Sequence, residues 1–110
     1  DCWGNNIIEL KDLPNKIIRL NCSENNVEKV SLSNLIKLKC LYLRNNKIKF
    51  ISENELPISI EVLDCSGNQL TELRVIKNLT YLRELNCADN LITLIDKQIF
   101  ESSEPLHTLD

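Results

Sequence analysis

Residues 78–92 read NLTYLRELNCADNLI, and the spacing of apolar residues in this stretch decides the fold. Leu82, Leu85 and Cys87 precede Asn90, and Ile92 follows it, giving the unit LxxLx(C/L)xxNx(L/I). The same unit recurs upstream as Ile60, Leu63, Cys65, Asn68 and Leu70, as Leu38, Leu41, Leu43, Asn46 and Ile48, and as Ile17, Leu20, Cys22, Asn25 and Val27. Cys2, Asn5 and Ile7 are the end of a first copy, so the copies follow one another at 20, 21, 22 and 22 residues. Within each copy two apolar residues alternate with period two (Leu20 and Cys22, Leu41 and Leu43, Leu63 and Cys65, Leu85 and Cys87), as on the buried side of a short strand. Such strands are too short to stand alone and become stable by stacking in parallel on one another. An Asn after each strand offers a carbonyl and an amide to backbone groups that a buried bend would leave unbonded, which predicts a ladder of Asn5, Asn25, Asn46, Asn68 and Asn90.

This unit, at this period, resembles the leucine-rich repeat (LRR) family, and the resemblance covers essentially the whole chain. The copies with LP endings look like the short repeats of bacterial effector proteins. The 78–87 stretch looks like the repeats of internalin-like proteins and intracellular phosphatase regulators. The abundance of Asn and Cys is similar to LRR proteins of intracellular microbes and large viruses. The resemblance implies an α/β solenoid: a curved, right-handed array with a parallel β-sheet on its concave side and short 3₁₀, extended or helical returns on its convex side. One repeat domain over residues 1–110, of about five repeats and without complete terminal caps, is expected.

The returns differ in their residues. Leu13-Pro14 before Ile17 and Leu56-Pro57 before Ile60 form two LPxxI endings, where proline favours extended or tight-turn backbone over a full helix. Val30, Leu32 and Leu35, and later Leu73, Ile76 and Leu79, are spaced for one or two helical turns. The longest return, from Thr93 through Ile95, Ile99 and Phe100 to Pro105, is expected to hold the best-formed helix. Gly4 and Gly67 both lie two residues after a column Cys, where a special turn conformation is their simplest role.

Five cysteines are an odd number, and none lies in a CxxC pair. Small thiols suit inward positions, so a buried, reduced cysteine column is expected, with Cys40 outside that pattern as the exposed thiol. No metal site is expected, because a parallel column does not aim its thiolates into one tetrahedral shell.

The alternation sends a second set of residues outward. Trp3, Ser23, Arg44, Ser66 and Ala88 make one row, and Asp1, Asn21, Tyr42, Asp64 and Asn86 another, with Arg19, Cys40, Val62 and Glu84 beside them. The binding residues expected on this face are Trp3, Arg19, Asn21, Tyr42, Arg44, Val62, Asp64, Glu84 and Asn86. Tyr42 and Arg44 lead, since half-buried aromatics and guanidinium groups anchor interfaces, and Asp64 is expected to orient Arg44 or to meet a basic partner. A module binding a protein partner through the concave face, with no catalytic activity, is the function this predicts. A structural or self-associating segment joined through open solenoid ends, or the substrate-recruiting domain of a larger effector enzyme, is the alternative.

Composition narrows the classes further. Hydrophobic residues make up 43% and charged residues 26%, with a net charge of −3, which excludes a disordered or strongly basic chain. Residues 11–50 carry nine Lys/Arg against three acids, and residues 51–110 four against eleven, a polarity suited to steering a partner or to head-to-tail association. Nucleic acid is not expected as a partner, because most lysines fall in the returns and no aromatic residues interleave with them. Membrane association is not expected either, since no apolar run approaches the ~20 residues of a spanning helix. Two glycines exclude a phosphate-binding glycine loop, no cofactor is implied, and His107 has no nucleophile placed beside it in sequence. Asn21-Cys22-Ser23 and Asn78-Leu79-Thr80 match the N-glycosylation pattern, Asn78 being the more accessible. Unpaired cysteines point to a reducing compartment, the cytoplasm of the producing cell or of an invaded host.

Overall fold

A computed structural model of the chain describes residues 1–92 and the short strand Thr108–Leu109. The expected helix of the last return, His107 and Asp110 lie outside the described residues. In chain order the strands are β1 (Glu9–Leu10), β2 (Arg19–Asn21), β3 (Lys29–Val30), β4 (Cys40–Tyr42), β5 (Val62–Asp64), β6 (Glu84–Asn86) and β7 (Thr108–Leu109). Strands β2, β4, β5, β6 and β7 form one parallel sheet in that order, and β1 and β3 pair in parallel as a second, smaller sheet. The register stacks Leu20, Leu41, Leu63, Leu85 and Leu109 on one another. The sequence repeat thus becomes a parallel stack, one rung per copy. Residues 1–3, expected as the first strand, form no regular strand. The Cys2 and Gly4 amides nevertheless donate to the carbonyls of Asn21 and Ser23, which joins this segment to the sheet edge.

The inward residues fill a continuous core. Leu41, Leu43, Ile48, Leu38 and Ile60 are wholly buried, and Leu20, Leu63 and Leu85 nearly so. Burying one such side chain removes enough apolar surface to contribute about 1.5–3 kcal/mol.

The asparagine ladder forms as the spacing predicts. Asn46 Nδ2 donates to the carbonyls of Leu43 in its own rung and Cys22 in the rung before, both at 3.0 Å, while its Oδ1 accepts the Val27 amide. Asn68 serves Leu43, Cys65 and the Ile48 amide in the same way, and Asn25 and Asn90 repeat the pattern. Each amide group therefore ties two rungs together where the chain leaves the sheet. Asn5, in the first copy, keeps only the bond to the Cys2 carbonyl of its own rung and is exposed.

Before each of these Asn the backbone turns through the left-handed region: φ is 72° at Gly4, 58° at Glu24, 56° at Asn45, 65° at Gly67 and 54° at Asp89. Glycine takes this conformation freely, whereas a residue with a Cβ pays for it. Gly67 has a second reason, since a Cβ there would fall 1.9 Å from the Asn45 Oδ1.

The returns follow from the presence or absence of a donor. In the four copies that contain it, the first residue of the repeat unit donates to the carbonyl three residues back: Ile17 to Pro14, Leu38 to Leu35, Ile60 to Pro57, and Leu82 to Leu79. Where that earlier residue is Leu, its own amide extends the series, Leu35 to Leu32 and Leu79 to Ile76 to Leu73, and the latter run is a 3₁₀ helix over Arg74–Asn78. Proline has no N–H, so at Pro14 and Pro57 the series stops after one turn.

The cysteine column departs from the sequence reading. Cys2 and Cys22 are joined by a disulfide, with Cα atoms 4.7 Å apart. Stacking identical positions at the strand spacing brings adjacent cysteines within the Cα separation a disulfide requires. Four cysteines lie on the column and Cys40 lies on the opposite side of the sheet, so pairing is incomplete, as an odd count requires. Cys65 and Cys87 are buried as expected, and burial, then the neighbouring Cys87 and Asp64, push the Cys65 thiol far above its usual range.

Candidate functional site

The outward residues of β2, β4, β5 and β6 form two rows fixed by the register. One runs Arg19, Cys40, Val62, Glu84, and the other Asn21, Tyr42, Asp64, Asn86. Arg19 and Glu84 are exposed, and the other six are half-buried by their neighbours across the sheet. Period-two alternation is the reason: with Leu20, Leu41, Leu63 and Leu85 facing the core, the residues on either side of each must face out.

Within the second row the asparagines and aspartates carry a structural task that sequence reasoning missed. Asn21 Oδ1 accepts the Ser23 amide, Asp64 Oδ1 the Ser66 amide, and Asn86 Oδ1 the Ala88 amide, each at 3.1 Å. Asp1 does the same for Trp3 at 3.0 Å. Each short side chain thus closes a local turn at the end of its strand. The signal was present in the sequence as Asp or Asn at four of five equivalent positions. Tyr42 is the exception. Its phenol has no such acceptor role, and the amide it would have served, that of Arg44, donates to the Ser23 hydroxyl instead.

Tyr42 lies at the centre of the face. The Arg19 guanidinium sits 4.9 Å from its ring centroid, a cation–π contact across adjacent strands. Burial above all raises the phenol's pKa from its ordinary value; the Cys40 thiol raises it further, Arg19 lowers it, and Glu84 raises it. Beside the ring, Tyr42, Val62, Asp64, Glu84 and Asn86 line a shallow depression of about 180 Å³ floored by Leu63 and Leu85.

Arg44 and Trp3 are exposed, Trp3 by 59%. Arg44 forms no ion pair with Asp64, whose Oδ1 is occupied by the Ser66 amide and, at 2.6 Å, by the Ser66 hydroxyl. The expectation that Asp64 orients Arg44 is therefore corrected, and Arg44 keeps its guanidinium free among the described residues. Ser23 and Ser66, expected outward, are buried instead: the Ser23 hydroxyl accepts the Arg44 amide of the next rung, and the Ser66 hydroxyl donates to Asp64 in its own turn. Three ion pairs centre on the neighbouring row: Glu61 bridges Lys39 at 3.6 Å and Arg83 at 3.5 Å, and Arg83 reaches Glu84 at 3.7 Å. All are part-exposed, so each contributes roughly 0–1 kcal/mol.

A second hollow, of about 950 Å³, lies on the return side among Ser33, Ile36, Leu56, Pro57, Ile58 and Lys77. Ile36 and Ile58 are exposed there, each five residues before a strand leucine, a periodic signal that the sequence reading passed over. Among the described residues no group of three or more His, Cys, Asp or Glu is placed to hold a metal ion, and no helix is long and apolar enough to cross a membrane.

The model of the Leucine Rich Repeat family matches residues 37–58, and that of Leucine Rich repeats (2 copies) matches residues 58–101. Together they cover more than half of the chain. No curated protein and no solved structure matches it.

Proposed function

The chain belongs to the leucine-rich repeat family, whose motifs generally mediate protein–protein interaction and which is typically non-catalytic, and from that premise we propose that it is a protein-binding module working through the outward face of β2, β4, β5 and β6. In this reading the array curves so that this face is concave, and a partner seats on Tyr42. Tyr42 carries the proposal: it is the one described residue of its row that does not close a turn, and it puts an aromatic ring where the repeat otherwise puts Asp or Asn. An aromatic with a phenol at its rim, beside exposed guanidinium groups, is the type of residue that anchors interfaces. Arg19, Arg44, Val62, Asp64 and Glu84 surround it, and Trp3, Asn21 and Asn86 extend the surface.

The test is capture from a lysate by the chain and by a Tyr42→Ala/Arg44→Ala variant shown by circular dichroism to be folded. A partner retained only by the unaltered chain supports the reading. Equal recovery by both would move the binding site to the returns or to the ends of the array.

A further inference from the structure

Resting on that reading of the face, we propose that it takes an extended peptide segment laid across the strands, with an acidic and a basic side chain about four residues apart and an apolar side chain between them. The register carries this inference. Along one row Arg19 stands on β2, Cys40 and Val62 follow on β4 and β5, and Glu84 stands on β6. Positive charge is thus held at one end, negative charge at the other, and between them are a thiol and a valine, with the Tyr42 ring beside them. Asp64, in the adjacent row, strengthens the negative end.

The charges at the two ends are available. Arg19 stacks on Tyr42 and makes no ion pair among the described residues, whereas Lys39 and Arg83, one row away, are both engaged by Glu61. Among the described residues Glu84 meets only Arg83, at 3.7 Å and with both side chains about half exposed. An incoming ammonium group or guanidinium can replace so loose a contact at little cost.

Spacing sets the length of the segment. Three steps of about 4.8 Å between parallel strands separate Arg19 from Glu84, roughly 14 Å in all. An extended chain advances about 3.3 Å per residue, so four residues span that distance. The apolar side chain midway falls over Tyr42 and Val62, beside the shallow depression. A segment with two acids or two bases would place a like charge against one end of the row, at a cost of about fivefold in affinity per mismatched charge.

A displayed library of random 12-residue peptides selected on the unaltered chain, on Glu84→Arg and on Tyr42→Ala tests this, with circular dichroism showing that all three are folded. The unaltered chain is expected to enrich peptides with opposite charges about four positions apart around an apolar residue. Glu84→Arg is expected to shift the enrichment to two acids at that spacing, and Tyr42→Ala to lose it. Peptides that need Tyr42 but show no paired charges, or that Glu84→Arg selects equally well, would overturn the charge-ordered segment and leave the face as the binding site. Peptides indifferent to Tyr42→Ala would overturn the reading of the face itself. Failure to enrich any peptide would overturn the inference.

Discussion

Leu41 and Tyr42 are neighbours in one strand and face opposite sides of one sheet. Leu41 points into a column that is leucine from Leu20 through Leu63 to Leu85. The outward rows change at every rung: Arg19, Cys40, Val62 and Glu84 in one, Asn21, Tyr42, Asp64 and Asn86 in the other. A column packed on itself must offer each rung the same shape, so the inward side is repetitive. The outward side meets no such demand once its turns are closed. Its freedom ends where Asn21, Asp64 and Asn86 close turns and begins again at Tyr42, which closes none. Repetition marks what holds the array together, and departure from repetition marks what the array can present to a partner.

The largest expected effect breaks the inward side. Leu41→Ala leaves a cavity in a fully buried site and should lower stability by about 2–5 kcal/mol in urea unfolding. Asn46→Ala should cost about 3 kcal/mol in the same measurement, because it leaves the Val27 amide and the Cys22 and Leu43 carbonyls without a side-chain partner. Asn5→Ala at the exposed first copy should cost well under half of that. Similar losses at the two asparagines would show that the ladder bonds between rungs contribute little.

A smaller effect of opposite sign is expected in the left-handed column. Glu24→Gly should raise stability by under about 1 kcal/mol, since relief of the positive φ outweighs loss of the exposed bond that the Glu24 carboxylate accepts from Asn45 Nδ2. Gly67→Ala should lower it by more than that, because the added Cβ meets both the backbone preference and the Asn45 side chain. A stabilising Gly67→Ala would contradict the close packing of these turns.

The smallest effect sharpens the outward side. In a spectrophotometric titration Tyr42 should ionise above the ordinary phenol value of about 10, and Arg19→Ala should raise it further by removing the guanidinium that favours the anion. The sign for stability follows. The fold prefers the neutral phenol, so this contribution is fully present below the unfolded value and is lost as pH rises through the folded one. A downward shift on Arg19→Ala would show that the guanidinium does not sit over the ring.

Period made much of this legible in the sequence. The leucine column, the asparagine ladder and the turns at Pro14 and Pro57 each follow from one residue type at one position in successive copies. The outward rows follow from the same alternation. What escaped had no residue-type signature, or one that pointed elsewhere. Left-handed backbone was legible at Gly4 and Gly67, was signalled more weakly by the residue types at Asn45 and Asp89, and was hidden at Glu24, where the turn imposes a conformation that the side chain does not advertise. Ser23 and Ser66 follow strict alternation as outward residues, but the chain has already begun to turn there and their hydroxyls are drawn into bonds. The Cys2–Cys22 bond joins two positions adjacent on the column, a proximity that a count of cysteines alone does not show.

The central claim, that the partner seats on the outward face around Tyr42, is tested most directly by hydroxyl-radical footprinting of the chain alone and with the partner captured from lysate. Phe50 and Tyr81, exposed aromatics outside the sheet strands, serve as internal controls. The account predicts that bound partner shields Tyr42 and Cys40 from oxidation and leaves Phe50 and Tyr81 unchanged. Protection of Phe50 and Tyr81 with Tyr42 still reactive would contradict it and place binding on the returns.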